Sequence, residues 1–274
     1  MTPETTTLLL TLVPLLLAAG AFAGVLAGLL GVGGGIVIVP ALYHIFGFLE
    51  IDDAVRMHLA VGTSLATIIP TSLRSVAAHR ERGSFDAALF RSWVPGIVVG
   101  VLFGTWLATL SNFATLTLVF AVVALLVATY MALGNPTWQV GDELPSNLVA
   151  QPIGAVIGAI SAMMGIGGGT MSVPVLNLFG FPIHRSVGTS AGFGLIIAVP
   201  GTIGFIVGGW NNPVLPDFSI GYVNWLGFLL IAPMTLLTVP YGAKLAHTLS
   251  TIGLRRAFAL FLGLTSLRMF ADIF

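Results

Sequence analysis

Apolar residues run along this chain in long unbroken stretches, parted by short polar or glycine-rich interruptions. Ten stretches are legible. Five lie at 8–30, 36–48, 59–79, 89–110 and 114–133, and five more at 148–164, 170–181, 187–209, 221–247 and 253–274. Continuous runs of this length predict helices, because the strands of a membrane barrel alternate in character over about ten residues. The second stretch of each set holds only 12–13 residues. As a helix it would be roughly 20 Å long, short of a hydrocarbon core about 30 Å thick.

Composition says what the helices face. Of 274 residues, 57% are hydrophobic and 7% charged, and mean hydropathy is +1.04. A soluble domain carries about 25% charged residues. So few charges cannot cover a water-facing surface, and in lipid every backbone group must be paired internally, which again favours helices. The expectation is an all-α integral membrane protein. Net charge is zero and no long basic run exists, so nucleic acid is excluded as a partner. Cysteine is absent, which excludes disulfides, zinc–thiolate sites and iron–sulfur clusters. No cofactor and no metal site are expected. Residues 8–17 with Ala21-Phe22-Ala23 look like a signal peptide, but "MTPETTT" before them lacks the Lys or Arg such a leader needs. The first stretch is therefore expected to stay in the protein.

The pattern repeats. "GVGGGIVIVPAL" at 31–42 returns as "GIGGGTMSVPVL" at 165–176, with seven of twelve positions identical. "MHLAVGTS" at 57–64 returns as "IHRSVGTS" at 183–190. Farther on, Pro95, Gly104, Leu107, Ala108 and Phe120 fall opposite Pro233, Gly242, Leu245, Ala246 and Phe258 at one constant offset. The chain reads as a first membrane repeat at 1–133, a polar linker at 134–147 and a second repeat at 148–274.

Charge orients the repeats. Arg74, Arg80, Arg82 and Arg91 surround the loop after the third stretch, which places it in the cytoplasm. Its counterpart, "NNPVLPDFS" at 211–219, has no Lys or Arg and belongs outside. Lys244, Arg255 and Arg256 put the last connection inside, and Arg185 falls on the inner side too. The linker dissents, with Asp142 and Glu143 on a side expected to be cytoplasmic, but acidic residues weigh little in this rule. The expected fold is two inverted-topology repeats of five apolar segments, each with a Gly-interrupted helix pair, broken or re-entrant. Both termini then lie outside.

Inverted repeats with interrupted helices are the mark of secondary transporters, whose sites lie at the breaks. Glycines at Gly33, Gly34 and Gly35, and again at Gly167, Gly168 and Gly169, would end one helix and start a short one. Unpaired N–H groups at such a start favour an anion. Close helix packing by small residues is the competing explanation. Thr63, Ser64, Thr189 and Ser190 follow in the third segments and either donate to an oxyanion or bond a carbonyl one turn back. Tyr43 and Asn177 sit at matching places past the glycines and are candidate lining residues. His58 and His184 are candidate proton carriers, or simply polar residues at a helix entrance. Arg268 is the one charge deep in the last segment and either reaches the site or extends to the outer interface. "GTSAG" at 188–192 matches a hydrolase nucleophile elbow, but that motif needs a strand-to-helix turn. No catalytic residue is assigned, and the protein is not expected to be an enzyme.

With "GVGGGIVIVPAL…AVGTS" and "GIGGGTMSVPVL…SVGTS" both in view, the chain resembles the sulfite exporter TauE/SafE family of membrane anion transporters over nearly its whole length. The resemblance implies movement of a small sulfur-containing anion, sulfite or an organosulfonate, across the bacterial inner membrane, in the direction of export. The alternative is an anion channel, or a transporter of another small oxyanion or carboxylate. Expected partners are the anion, a coupling proton and the lipid bilayer.

Overall fold

The computed structural model describes residues 3–30, 34–134, 139–141, 143–246 and 251–273. Nearly all of it is helix. The first five helices are α1 (Pro3–Leu30), α2 (Gly35–Phe48), α3 (Asp53–Glu81), α4 (Ala87–Leu110) and α5 (Phe113–Leu133). Then come α6 (Asn147–Met164), α7 (Gly168–Leu178), α8 (Ile183–Gly209), α9 (Trp225–Ala246) and α10 (Thr251–Ala271). Between α8 and α9, β1 (Ser219–Ile220) pairs antiparallel with β2 (Val223–Asn224). Helices α4, α5, α6, α8 and the Trp225–Gly242 part of α9 are long and apolar enough to span a bilayer. This is an all-α, multi-pass membrane protein.

Helix starts depart from the apolar pattern where polar residues are satisfied locally. α3 begins at Asp53 rather than residue 59, because the Asp52 side chain accepts from the Ala54 N–H and Arg56 pairs with Asp53 at 2.8 Å. α9 begins at Trp225 rather than 221. Gly221, at φ +55°, turns the chain first, and the Asn224 side chain then accepts from Gly227 N at 2.8 Å.

The outer faces are apolar. Val199, Ile203 and Val207 of α8 stand exposed four residues apart, and Leu260, Leu264 and Leu267 mark a similar stripe on α10. Such stripes suit lipid rather than water.

Helices from before and after the linker interlock. α1 packs along α9, α6 along α4, α3 along α8 and α5 along α10. Gly96, Gly100 and Gly104 form the seam of α4. A Cβ on any of them would run into α6 backbone at Gln151, Ala155 or Ala159. Small residues at this spacing let membrane helices approach closely.

Candidate functional site

The two helix interruptions are built differently. α6 ends at Met164, and Gly165, at φ +66°, takes the left-handed conformation that closes it. Gly165 N–H donates to the Ala162 carbonyl and Ile166 N–H to the Ser161 carbonyl. Gly167 is extended, and α7 starts at Gly168 without a side-chain cap. The first N–H groups of a helix have no partner within it. The short helix α7, with 11 residues, therefore starts on N–H groups without a partner inside the helix, at the positive end of its dipole. In the first interruption, Gly33 lies outside the described residues. Gly34 is the left-handed residue there, at φ +73°, just before α2.

A cavity of about 50 Å³ opens at the α7 tip. At roughly 10–15 Å³ per water, that is room for a few waters or one small ion. Gly167, Gly168 and Gly169 form one wall, and Ser190, Ala191 and Gly194 of α8 form the next. Thr71, Ser72 and Ser75 of α3 face them, with Ala27 of α1 and Val239 of α9 closing the rim. Ser190 is fully buried, and its hydroxyl has no hydrogen-bond partner. A buried hydroxyl without a partner is costly unless something else occupies it. Gly194 keeps the space clear. A Cβ there would lie 2.7 Å from Ser72 Oγ and 3.5 Å from Gly168 N, between a hydroxyl and the helix tip.

Of the residues singled out by sequence, the cavity gathers Gly167, Gly168, Gly169 and Ser190. Apart from Gly33, outside the described residues, and the exposed His184, the others lie against neighbouring parts of the protein. Ser64 donates to the Gly165 carbonyl at 2.7 Å, so it ties α3 to the second interruption. Gly35 packs there too, with an added Cβ only 2.6 Å from Gly165 O and 2.8 Å from Ile68. Ile68 fills space in α3 where α8 has Gly194.

Thr63 and Thr189 make one contact twice. Thr63 Oγ1 accepts the Asn224 N–H at 2.9 Å, and Thr189 Oγ1 accepts the Asp86 N–H at 3.0 Å. Asp86 and Asn224 stand to each other as Pro95 does to Pro233, and their side chains start α4 and α9. The glycine before each threonine completes the clasp. A Cβ on Gly62 would overlap the Tyr222 carbonyl, and one on Gly188 the Ser84 carbonyl. "GT" thus admits a loop from across the linker and hydrogen-bonds it.

Tyr43 donates to Asp272 at 3.0 Å and lies under Arg56, whose guanidinium is 4.7 Å from its ring centre. Asn177 accepts from the Ser186 hydroxyl at 3.0 Å. His58 is buried, 3.1 Å from the Ala108 carbonyl, with its ring tilted against that of Tyr222 at 4.7 Å between centres. His184 is exposed in the first turn of α8. Arg268 pairs with Asp272 at 3.5 Å, and Arg185 pairs with Asp86. Among the described residues, no cluster of three or more His, Asp or Glu suits a metal ion.

Sequence reasoning missed Thr71, Ser72, Ser75 and Gly194. Three hydroxyls within five residues, at 71, 72 and 75, were the available signal. The repeat does not mark them, because their counterparts in α8, Ile197, Ala198 and Gly201, are not polar.

A multi-pass helical bundle with two broken helix pairs and a polar cavity at one break has the build of a membrane transport protein. The relatives agree. The sulfite exporter TauE/SafE family model matches residues 16–269, and the chain belongs to that family. A probable membrane transporter protein of Haemophilus influenzae is 35% identical, over 95% of this chain and 98% of its own length. One from Methanocaldococcus jannaschii is 27% identical over 95% and 96%, and YunE of Bacillus subtilis, also named a probable membrane transporter, is 27% identical over 86% and 89%. No solved structure matches this chain.

Proposed function

We propose that the protein is a secondary transporter that moves a small sulfur-containing anion, sulfite or an organosulfonate, out across the cytoplasmic membrane by alternating access. Its two membrane repeats, 1–133 and 148–274, are inverted about the interruptions and joined by the cytoplasmic linker 134–147, with both termini outside. The anion sits at the α7 tip, held by the Gly168 and Gly169 amides and by Ser190, with Ser72 and Ser75 opposite. The observation that carries this is the buried, unpartnered Ser190 hydroxyl facing the open end of a helix. Thr63 and Thr189 clasp the repeats to each other, so the site lies where two moving bodies meet. The family name supports the sulfur anion.

The test is counterflow in proteoliposomes. Vesicles loaded with unlabelled sulfite should accumulate external radiolabelled sulfite transiently. A channel gives no overshoot beyond that set by membrane potential, and clamping the potential to zero separates the two. Absence of sulfite-dependent exchange, with protein shown to be inserted, overturns the proposal.

A further inference from the structure

We infer that the α7-tip cavity takes its oxyanion in the singly charged, proton-bearing form, hydrogensulfite rather than sulfite, so that the anion carries its own proton through the membrane. This rests on the anion site proposed above.

Two independent observations lead here. The first is the neutrality of the walls. The described lining consists of hydroxyls, glycine backbone and aliphatic groups, with no ionisable side chain. Arg74 is adjacent in sequence to Ser75 but exposed, and it does not line the cavity. Arg185 is spent on Asp86. The cost of removing an ion from water grows as the square of its charge. Its attraction to fixed, neutral dipoles grows only in proportion to charge. Doubling the charge therefore quadruples the cost and doubles the return. One helix start and a few hydroxyls suit one charge.

The second observation is the state of Thr71. Its hydroxyl donates to the carbonyls of Thr67 at 3.1 Å and Ile68 at 3.0 Å. With its single proton committed, the oxygen offers only lone pairs. An acceptor in the wall of an anion site adds a hydrogen bond only to an oxyanion that brings a proton. Ser190, with its proton free, plays the opposite part.

The consequence concerns coupling. His58 is held against Ala108 and Tyr222, and His184 is exposed at the start of α8; neither lines the cavity. If the substrate brings the proton, no histidine need carry it.

The experiment measures binding to the purified full-length protein by calorimetry at about pH 6 and pH 8.5, bracketing the last protonation of sulfite near neutrality. Sulfite is compared with chlorate, a pyramidal monoanion, and sulfate, a dianion, neither of which changes charge between these pH values. Sulfite affinity should fall by about tenfold or more at the higher pH, chlorate should hold constant, and sulfate should bind weakly at both. Thr71→Val, close in shape but without the lone pairs, should shrink the pH effect on sulfite. Sulfite binding equally at both pH values overturns the inference, as does sulfate binding as tightly as hydrogensulfite. A parallel fall in chlorate would assign the pH dependence to the protein and overturn it as well. If no anion binds in a manner that Ser190→Ala weakens, the anion site itself is wrong.

Discussion

Ser64 and Ser190 occupy the same motif, and the structure gives them opposite circumstances. Ser64 is satisfied by the Gly165 carbonyl, whereas Ser190 has no partner. Ser64→Ala leaves a buried acceptor unmet and should destabilise the protein by about 1–3 kcal/mol. Ser190→Ala breaks no internal bond. It should change stability by less than about 1 kcal/mol while weakening anion affinity by about tenfold. Thermal unfolding in detergent and calorimetric titration read the two effects separately; equal loss of stability in both mutants would contradict this distinction. The difference was not legible in the sequence, because "GTS" reads identically in both copies and the decisive partner lies a hundred residues away. Gly34 takes a left-handed φ of +73° ahead of α2, a conformation that favours glycine. Gly168 is special for another reason, since a Cβ there meets the α8 backbone at Phe193 and Gly194.

At the scale of elements, the apolar pattern located the ten helices of the described residues, because in lipid a continuous apolar run pairs its backbone internally as a helix. It misplaced the starts of α1, α3, α8 and α9; at α3 and α9, Asp52 and Asn224 cap polar or turned chain that hydropathy cannot see. What it could not show is how helices are tied across the linker. The Gly62–Thr63 and Gly188–Thr189 clasps predict a paired result. Gly62→Leu and Gly188→Leu should each drive a side chain into a loop carbonyl and abolish well-behaved protein. Thr63→Val and Thr189→Val, which strand one N–H each, should cost about 1–3 kcal/mol and leave the fold intact. Size-exclusion profiles and unfolding midpoints would check both; a tolerated leucine at either glycine would contradict the clasp.

For the whole molecule, hydropathy foretold an all-α membrane bundle, and the packing of α1 on α9 and α4 on α6 sets helices from before the linker against helices from after it. Orientation rests on the placement of Arg and Lys. Single cysteines replacing Arg82 and Asp217 should react with an impermeant reagent from opposite sides of the membrane, and same-side labelling would contradict the inverted arrangement. The central claim, an oxyanion held between the α7 tip and Ser190, is tested most directly by locating a heavy pyramidal monoanion. Crystals grown with iodate should show an iodine anomalous peak in the cavity, with its oxygens in hydrogen-bonding reach of Ser190 Oγ and the Gly168 amide, and Gly194→Ile should erase it. An iodine peak bound elsewhere in the protein, unaffected by Gly194→Ile, would contradict the account.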